Sequence, residues 1–412
     1  MTLTSRIGSK ELSVSYWQKS TDLITGGFAL PKNGGMAIIG SGITGVSVAY
    51  WLTQNGFPGQ DITIIDYMPE IAATNRNAGH VLYGAVESAS ALVSLKGEKV
   101  AREITELSIE LCQDIKETVN REKLECDYRK SGYLVMALKD AEFSEIRKSV
   151  EILKSWGVSN EIVDKEHLNR LGFKNVVGGR FEEGSARINP VKFRNSLMEI
   201  CLKRGVSYHS RREVKSLTES SGKVEVLYLT GDSNTFDACV VAANAFSPLL
   251  SSFYESRKLV EPFKGQIITS APLKSKDLFK GAVSFNHGYE YSLITEDNRL
   301  LIGGWRDEAG GEMGSYDMTI NPRTEEGLKG FVKDHFQIDE DIKWEHSWSG
   351  LMAASKTGLP FVGPTDSQLI YTAGGYTGHG LSWGHGCARI LAEIMMGLSY
   401  TPSSYLLKPN LV

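Results

Sequence analysis

The chain has 412 residues, of which 41% are hydrophobic and 23% charged, so it can bury a large core and is predicted to form two domains. Its formal net charge of -4 at pH 7 gives no indication of a nucleic-acid partner. The cysteines form no close CxxC pair, which argues against a zinc site or a disulfide framework. They are Cys112, Cys126, Cys201, Cys239 and Cys387.

The N-terminal part of the chain contains one long uncharged stretch. From residue 33 to residue 60 there are 28 residues without Asp, Glu, Lys or Arg, a length that would cross a bilayer. Seven of the 28 are glycine and several others are polar, so insertion would place many polar groups in hydrocarbon. The first 30 residues mix charges and lack a continuous apolar core, so no secretory signal is expected. We therefore expect a cytoplasmic protein without a membrane span.

Residues 36–54 have the pattern of a strand, a tight turn and a helix. A short apolar run precedes GSGITG at residues 40–45, and apolar residues follow at helical spacing. In such a GxGxxG motif the glycines permit the sharp turn, let the backbone approach a pyrophosphate, and let helix and strand pack closely. The N–H groups that open the helix then face the anion. The residues predicted to contact it are Gly40, Gly42, Ile43, Thr44 and Gly45.

An acidic residue follows at the distance that this motif requires. The apolar run Ile62–Ile65 ends in Asp66, 21 residues past Gly45, and Tyr67 comes next. A carboxylate at this strand end accepts the hydroxyl groups of an adenosine ribose. Residues 36–67 therefore predict a dinucleotide site, and this motif alone is compatible with either a nicotinamide or a flavin.

Two further segments decide between these cofactors. TNRNAGH at residues 74–80 is a small polar loop just after the acid, and GGYTGHGL at residues 374–381 leads into an apolar helix. With the glycine motif, they resemble the D-amino-acid oxidase-like family of FAD-dependent oxidoreductases, in the branch with glycine oxidase and sarcosine oxidase. A second glycine-rich turn also suits a flavin, because the helix after it directs its positive end at the ring edge where charge collects on reduction.

The resemblance extends over most of the chain and implies the domain organisation. It predicts an α/β (α+β) fold, with a discontinuous Rossmann-like FAD-binding domain and a substrate domain built on a mixed or antiparallel sheet. An amphipathic helix is predicted at residues 98–119 and a strand at residues 224–229. The predicted division is an extension at 1–32, an FAD-binding domain at 33–95, 186–255 and 346–400, a substrate domain at 96–185 and 256–345, and a tail at 401–412.

By resemblance, the predicted cofactor is FAD, and its attachment is predicted to be non-covalent. The cysteine that attaches the flavin in sarcosine oxidases falls near Gly350 and Leu351, where this chain has none. In addition to the motif residues, Asp66 and Tyr67, the predicted FAD contacts are Thr74, Asn75, Arg76, Asn77, Ala78, Gly79, His80, Val214, Ala243, Asn244, Gly350, Gly375, Gly378, His379, Gly380 and Leu381.

The candidates for the substrate pocket are Tyr289, Tyr291, Arg306 and His80. The two tyrosines are two residues apart and so fall on one side of a predicted strand, and each offers a flat wall and one hydrogen bond. The chain departs from the sarcosine-oxidase pattern at two lysine positions, since Leu381-Ser382 follows Gly380 and Leu301 stands on the strand. These departures place a small sarcosine-like substrate and fast use of oxygen in question.

The sequence thus predicts an enzyme that oxidises the C–N bond of an amino acid or secondary amine, with O₂ or another acceptor reoxidising the flavin. Its only predicted partner is the small-molecule amine or amino acid. A nicotinamide-dependent dehydrogenase, a tRNA-modifying flavoprotein and a catalytically silent flavoprotein remain as alternatives. No metal site is predicted.

Overall fold

The protein is described here by a computed structural model that covers residues 3–8, 12–275, 278–311, 313–399 and 402–409. Parts of the predicted extension and tail, including residues 9–11 and 410–412, lie outside the described residues. Two large sheets organise the chain, one mainly parallel and one mainly antiparallel. Among the described residues, no helix is long and apolar enough to cross a membrane.

A six-stranded, mainly parallel sheet carries the glycine motif. The central strand, Met36–Ile39, is fully buried, and its alternate residues enter different hydrophobic clusters, Ile38 on one face and Ile39 on the other. Burial on both faces is typical of parallel sheets. The strand–helix–strand unit predicted at residues 36–66 is therefore confirmed. The strands in spatial order are Phe361–Pro364, Ile370–Gly374, Ala238–Val241, Met36–Ile39, Ile62–Ile65 and Ser207–His209, of which only the first is antiparallel to its neighbour.

Helices cover one face of this sheet. The predicted helix at residues 98–119 is confirmed as Glu98–Glu122, and its apolar stripe packs into the same cluster as the glycine-motif helix. Pro190 opens another helix, where Asn189 Oδ1 accepts the N–H groups of Val191 and Lys192 at 3.1 Å. The helices of this layer are Ile43–Gln54, Ala89–Lys96, Glu98–Glu122, Pro190–Lys203 and Gly380–Met395.

An eight-stranded mixed sheet forms the second large layer. All its neighbouring strands are antiparallel except Ala282–Phe285 and Tyr133–Ala137, which run parallel. This sheet is the mixed alternative of the mixed or antiparallel sheet that the sequence predicts. The strands in spatial order are Trp344–Ser355, Val260–Ser270, Leu300–Gly303, Glu290–Ile294, Ala282–Phe285, Tyr133–Ala137, Gly178–Glu182 and Asn160–Asp164.

Smaller elements complete the described chain. The predicted strand at residues 224–229 is Lys223–Tyr228, which is central in a three-stranded antiparallel sheet. That sheet also contains Val214–Ser220 and Ser233–Phe236, and another contains His80–Val81, Ala186–Arg187 and Arg129–Lys130. The remaining α-helices are Leu3–Arg6, Tyr16–Ser20, Asp140–Ser155, Lys165–Arg170, Ser252–Arg257 and Pro322–His335.

The packing differs from the predicted domain division at two places. The helix Glu98–Glu122 was predicted in the substrate domain, but its buried residues share a cluster with Gly380–Met395 beside the parallel sheet. The strand Trp344–Ser355 was predicted to open the last FAD-binding segment, but most of it pairs with Val260–Ser270 in the mixed sheet. We therefore propose boundaries near residues 126 and 356 instead of 96 and 346.

Candidate functional site

One cavity of about 1150 Å³ is lined by residues of both large sheets and of the loops that join them. It begins at the glycine motif and extends along the mixed sheet to the helix Asp140–Ser155. Almost all the residues predicted from the sequence line it. The exceptions are Gly45, Asn75, Gly79 and Gly375.

The glycine motif shapes the first end of the cavity with backbone alone. Gly40 has a φ of +110°, and a Cβ there would lie 2.6 Å from the carbonyl oxygen of Ala242. A Cβ on Gly45 would lie 1.9 Å from the carbonyl oxygen of Gly40, which explains why Gly45 supports the turn from behind and does not face the cavity. The helix that begins at Ile43 directs its N-terminus at this space, as a pyrophosphate requires.

Asp66 lies at the end of the second strand, and its two carboxylate oxygens have different roles. Oδ2 accepts hydrogen bonds from Ser41 N at 2.6 Å and Ser41 Oγ at 2.8 Å. Oδ1 has no partner among the described residues, and the residue lines the cavity. Burial raises the pKa of Asp66, opposed by the Ser41 bonds and by the charge of Arg194. An acceptor oxygen is therefore available to a ribose hydroxyl.

Arg194 is a residue of this end that the sequence reasoning missed. It is fully buried, and its Nε donates to the carbonyl oxygen of Ser41 at 2.9 Å. Its Nη2 lies 3.2 Å from the hydroxyl of Tyr208. The sequence did contain one indication of its role, since Arg194 interrupts the apolar pattern of the helix Pro190–Lys203.

The predicted loop at residues 74–80 is held in place by the N-terminal extension. Ser15 Oγ donates to Asn75 O at 2.6 Å, and Trp17 Nε1 donates to Asn77 O at 2.7 Å. The Arg76 guanidinium donates to Ser13 Oγ at 2.6 Å, and burial lowers the pKa of Arg76 to about 10. The loop therefore faces the cavity on one side and is anchored on the other.

Within this loop, individual side chains have distinct tasks. Thr74 Oγ1 accepts the N–H of Ile43 at 2.8 Å and so joins the loop to the glycine motif. Asn75 instead directs Nδ2 to the carbonyl oxygen of Pro69 at 2.7 Å, away from the cavity. The Asn77 side chain accepts Gly79 N at 2.8 Å. Asn75 and Gly79 thus shape the loop without lining the cavity.

The C-terminal glycine-rich turn meets the N-terminal motif across the cavity. The Tyr376 hydroxyl lies 2.8 Å from Thr44 Oγ1, which joins the two segments directly. Gly375 has a φ of +76° and donates its N–H to Asn244 Oδ1 at 3.1 Å, behind the cavity wall. The helix that begins at Gly380 directs its N-terminus at the cavity, with Gly378, His379 and Leu381 beside it.

The other predicted cofactor contacts complete the wall. Tyr67 and Val214 lie toward the Asp66 end, and Ala243 follows the strand Ala238–Val241. Gly350 approaches the loop closely, since a Cβ there would lie 3.2 Å from Arg76 Cβ. None of the five cysteines lines the cavity, so no cysteine is available for covalent attachment of a ligand.

His80 is a neutral histidine on the cavity wall. Its Nε2 lies 3.0 Å from the carbonyl oxygen of Ser292, and since a carbonyl only accepts, Nε2 carries the proton. Nδ1 is then an acceptor, and it has no partner among the described residues. Burial lowers the pKa of His80 to about 4, so the ring is uncharged at neutral pH. Burial also lowers the pKa of His379 to about 4.

Tyr289, Tyr291 and Arg306 lie together beside His80. The strand begins at Glu290, so Tyr289 immediately precedes it and was wrongly predicted within it. The Arg306 guanidinium lies 5.6 Å from the centre of the Tyr289 ring and 4.6 Å from that of Phe263. No carboxylate of the described residues pairs with it. Burial raises the pKa of Tyr291 to about 12, so its hydroxyl stays protonated.

The sequence reasoning also missed a polar group farther along the mixed sheet. It consists of Tyr133, Asn160, Arg180 and Ser284, which come from four different strands and all line the cavity. Their residues carry no local motif, so no signal in the sequence brings them together.

Comparisons with known proteins agree with this geometry. The sequence matches the family described as FAD dependent oxidoreductase over residues 36–394. The probable oxidoreductase OrdL of Haemophilus influenzae is 27% identical over 373 residues, which are 88% of this chain and 83% of that protein.

Several solved structures are similar over nearly the whole chain, and two of them are oxidases of small amino compounds by name. Glycine oxidase from Geobacillus kaustophilus superposes with a TM-score of 0.76 at 18% identity, covering 90% of this chain and 96% of that one. Iminodiacetate oxidase from Chelativorans sp. BNC1 gives a TM-score of 0.74 at 20% identity, covering 91% and 98%. Because the family match spans the glycine motif, the loop and the C-terminal helix that line one cavity, the chain belongs to the DAO family of FAD-dependent oxidoreductases and is an FAD-dependent enzyme.

Proposed function

We propose that this enzyme oxidises the C–N bond of an amino acid or secondary amine to an imine, which water then hydrolyses to a carbonyl compound and an amine or ammonia. The carbon loses a hydride and the nitrogen loses a proton, so the substrate gives up two electrons. Bound FAD supplies the acceptor for that hydride. The names of the glycine and iminodiacetate oxidases that share the fold support this class of substrate.

The observation that carries the proposal is the position of Arg306. It is an arginine without a carboxylate partner among the described residues, and it borders the cavity that contains the glycine motif. A guanidinium binds a carboxylate through two parallel hydrogen bonds, which fixes orientation as well as position. Arg306 is thus suited to bind the carboxylate of an amino acid while Tyr291 closes the pocket beside it.

His80 is suited to bind the substrate nitrogen. Reaction requires the nitrogen to be unprotonated. A neutral imidazole can accept a hydrogen bond from the N–H of a neutral amine and, unlike a carboxylate, adds no negative charge that would stabilise an ammonium group. Nδ1 of His80 meets that need, since the Ser292 carbonyl holds the proton on Nε2. The half-buried ring of Tyr291 limits the access of water to the same space.

The acceptor that reoxidises the flavin is not specified by these residues. Leu301 is fully buried where the sarcosine-oxidase pattern has a lysine that promotes reaction with oxygen. We therefore retain O₂ and another acceptor as alternatives. Non-covalent FAD and a cytoplasmic location also stay predictions.

The proposal is tested by anaerobic reduction of the purified holoenzyme with a panel of amines and amino acids, followed through the visible absorbance of the flavin. An amino acid or secondary amine should bleach the flavin. For substrates that carry a carboxylate, Arg306→Met should raise the concentration that gives half-maximal reduction of the flavin by about 10- to 100-fold. The half-saturating concentration of Arg306→Lys should lie between those of the wild type and Arg306→Met, because lysine keeps the charge but cannot form the two parallel hydrogen bonds. Arg323→Met, at an exposed position of the helix Pro322–His335, should behave as the wild type.

Other results would support the alternatives. Reduction by NADH alone would favour a nicotinamide-dependent enzyme, and no bleaching by any compound would favour a silent flavoprotein. The tRNA-modifying alternative lacks support, since no basic stretch occurs in the sequence. Acid precipitation tests the attachment separately: yellow FAD should appear in the supernatant, and colour retained in the pellet would contradict a non-covalent cofactor.

A further inference from the structure

We propose that Arg180 forms a second anion site in the cavity, which binds a carboxylate at the far end of an elongated substrate, away from the carbon that is oxidised. This assignment rests on the proposed function and narrows its substrates to amines or amino acids that carry a carboxylate several bonds beyond the reacting C–N bond. Arg306 and Arg180 would then recognise two different parts of one molecule.

Arg180 lies in the same cross-strand row as Tyr291. Tyr291 pairs with Ser284 in the register of the mixed sheet. Ser284 in turn pairs with Val135, which pairs with Arg180. Paired residues of neighbouring strands project from one face, and all four line the cavity. Three strand spacings of about 4.8 Å place the two ends of this row roughly 14 Å apart.

Arg180 is a half-buried cation with unused donors. Its Nη1 donates to Asn160 Oδ1 at 2.5 Å, and its guanidinium lies 5.7 Å from the centre of the Tyr133 ring. Among the described residues, no carboxylate lies within ion-pair distance, and Nε and Nη2 have no partner. Burial lowers the pKa of Arg180, as expected for a cation removed from water without a contacting anion. Such a group is stabilised by an anion that the substrate supplies.

Asn160 adds an independent requirement for an acceptor. It is 2% exposed and lines the cavity, and its Oδ1 is already bonded to Arg180. Its Nδ2 has no acceptor within the described chain. Two neighbouring side chains therefore have donors to offer. A carboxylate, with two oxygens and about four lone pairs, can satisfy both, whereas an ammonium group would satisfy neither.

The acidic residues near Arg180 do not fill this role. Glu182 lies two residues along the strand, but its oxygens accept from Ser185 N at 2.9 Å, from Ser185 Oγ and from Gly184 N. Glu142 accepts from Leu138 N at 2.9 Å and His287 N at 2.7 Å. Neither carboxylate forms an ion pair with Arg180, although the charge of Glu182 favours the charged form of the guanidinium.

The site is tested by equilibrium binding to the holoenzyme, which does not depend on turnover. Straight-chain dicarboxylates of three to eight carbons and monocarboxylates of equal length are titrated by calorimetry. At one or two lengths the dicarboxylate should bind about 10- to 100-fold more tightly than its monocarboxylate. Arg180→Gln should remove this gain. Arg147→Gln should keep it, because Arg147 is an exposed arginine nearby that stacks on Phe143 and does not line the cavity.

A second variant keeps the test valid if Arg180→Gln fails to fold. Asn160→Asp leaves Arg180 in place but sets a carboxylate beside its guanidinium, so it should also remove the gain for dicarboxylates. If either folded variant keeps the full gain, or if the wild type shows none at any length, Arg180 has only a structural role in the sheet.

Reduction kinetics separate this assignment from the reaction itself. Flavin reduction by amines with a distal carboxylate is compared with reduction by the corresponding amides. The wild type should reach half-saturation at a lower concentration of the acid than of the amide. In Arg180→Gln the two half-saturating concentrations should be equal. If no amine reduces the flavin while the dicarboxylate gain still depends on Arg180, the proposed reaction is wrong and the anion site stands. If amines react but acid and amide are equal in the wild type, the reaction stands and the anion site is wrong.

Discussion

The two ends of the cavity are built in different ways. At the glycine-motif end the wall is mostly backbone, from Gly40 to the start of the helix Ile43–Gln54, and its position is fixed by close approaches of main-chain atoms. At the mixed-sheet end the wall consists of side chains, such as Tyr291 and Arg180, that project from separate strands. The first end suits a ligand that never changes, and the second can be altered one side chain at a time.

This difference predicts different responses to mutation. A substitution of a glycine at the backbone-built end has to move main chain, and so it should affect folding and FAD binding together, whereas a substitution of Asp66 should affect FAD binding alone. A substitution at the side-chain end should alter substrate preference or pH dependence while FAD stays bound. The variants below test that division, starting with the largest expected effect.

Gly45→Ala should have the largest effect. The new Cβ would lie 1.9 Å from the carbonyl oxygen of Gly40 and 3.3 Å from Ile38 Cγ2, so strand and helix would have to separate. We expect a loss of more than about 3 kcal/mol in the free energy of unfolding and little bound FAD. Urea unfolding measures the loss of stability, and the flavin absorbance per mole of protein measures the bound FAD. Gly330→Ala is the control, since no atom beyond its own stretch of helix lies within 4 Å of the new Cβ. Stoichiometric FAD in Gly45→Ala would contradict a backbone-built cradle.

Asp66→Asn should weaken FAD binding without altering the chemistry. We propose that Oδ1, which has no partner among the described residues, accepts a ribose hydroxyl of FAD. Loss of its charge should therefore raise the dissociation constant of FAD by about 10- to 1000-fold. With saturating FAD, substrate should reduce the flavin at close to the wild-type rate, because the contact is equal in ground and transition states. Asp61→Asn, at an exposed position before the same strand, is the matched control. Collapse of reduction with FAD still bound would place Asp66 nearer the chemistry.

The sequence predicted the backbone-built end well because its signals are local. The GxGxxG spacing, the following apolar strand and Asp66 all lie within about 30 residues, and their geometry follows from turn and helix rules. The loop at residues 74–80 and the turn at residues 374–381 were found by resemblance. The placing of Asn75 and Gly375 behind the wall was not predictable, because it depends on which way a peptide group faces.

The side-chain end was only partly predictable. Tyr291 and Arg306 were found, but Arg180 joins them only through the strand order of the mixed sheet, which pairs distant segments. Hydrophobic periodicity shows that a strand exists and does not show its neighbour. The anchoring of the loop by Ser15 and Trp17 was missed for the same reason, since no pattern relates these residues to positions 75 and 77.

Glu290→Gln should change the pH dependence of stability, although Glu290 lies beside the side-chain end and does not line the cavity. Glu290 is 1% exposed, and neither carboxylate oxygen has a hydrogen-bond partner of normal geometry among the described residues. Burial raises the pKa of Glu290 to about 7, with a smaller contribution from the charge of Asp307. The folded state thus holds this proton more tightly than the unfolded state, so the stabilisation is complete below about pH 4.5 and is lost as the pH rises through 7.

The free energy of unfolding of Glu290→Gln minus that of the wild type should therefore be larger at pH 8 than at pH 5, by about 1 to 3 kcal/mol. Urea unfolding at both pH values measures this difference, and FAD content should not change. Glu145→Gln removes a carboxylate that is 56% exposed, and should show no such difference. A difference of zero for Glu290→Gln would mean that the carboxylate is solvated or paired in solution.

Trp17→Phe should have the smallest effect, because it removes one hydrogen bond to the loop that joins the two ends. Trp17 is 5% exposed, its Nε1 donates to Asn77 O at 2.7 Å, and its ring packs beside Gly79. Phenylalanine keeps most of the packing, so the expected cost is about 1 kcal/mol in unfolding, with FAD released about 3- to 10-fold faster. Trp156→Phe is the matched control, since Trp156 is 8% exposed and its Nε1 has no partner in the described chain. Flavin fluorescence after dilution measures release. If both variants release FAD at the same rate, the N-terminal extension packs on the loop without holding it in its cofactor-binding position.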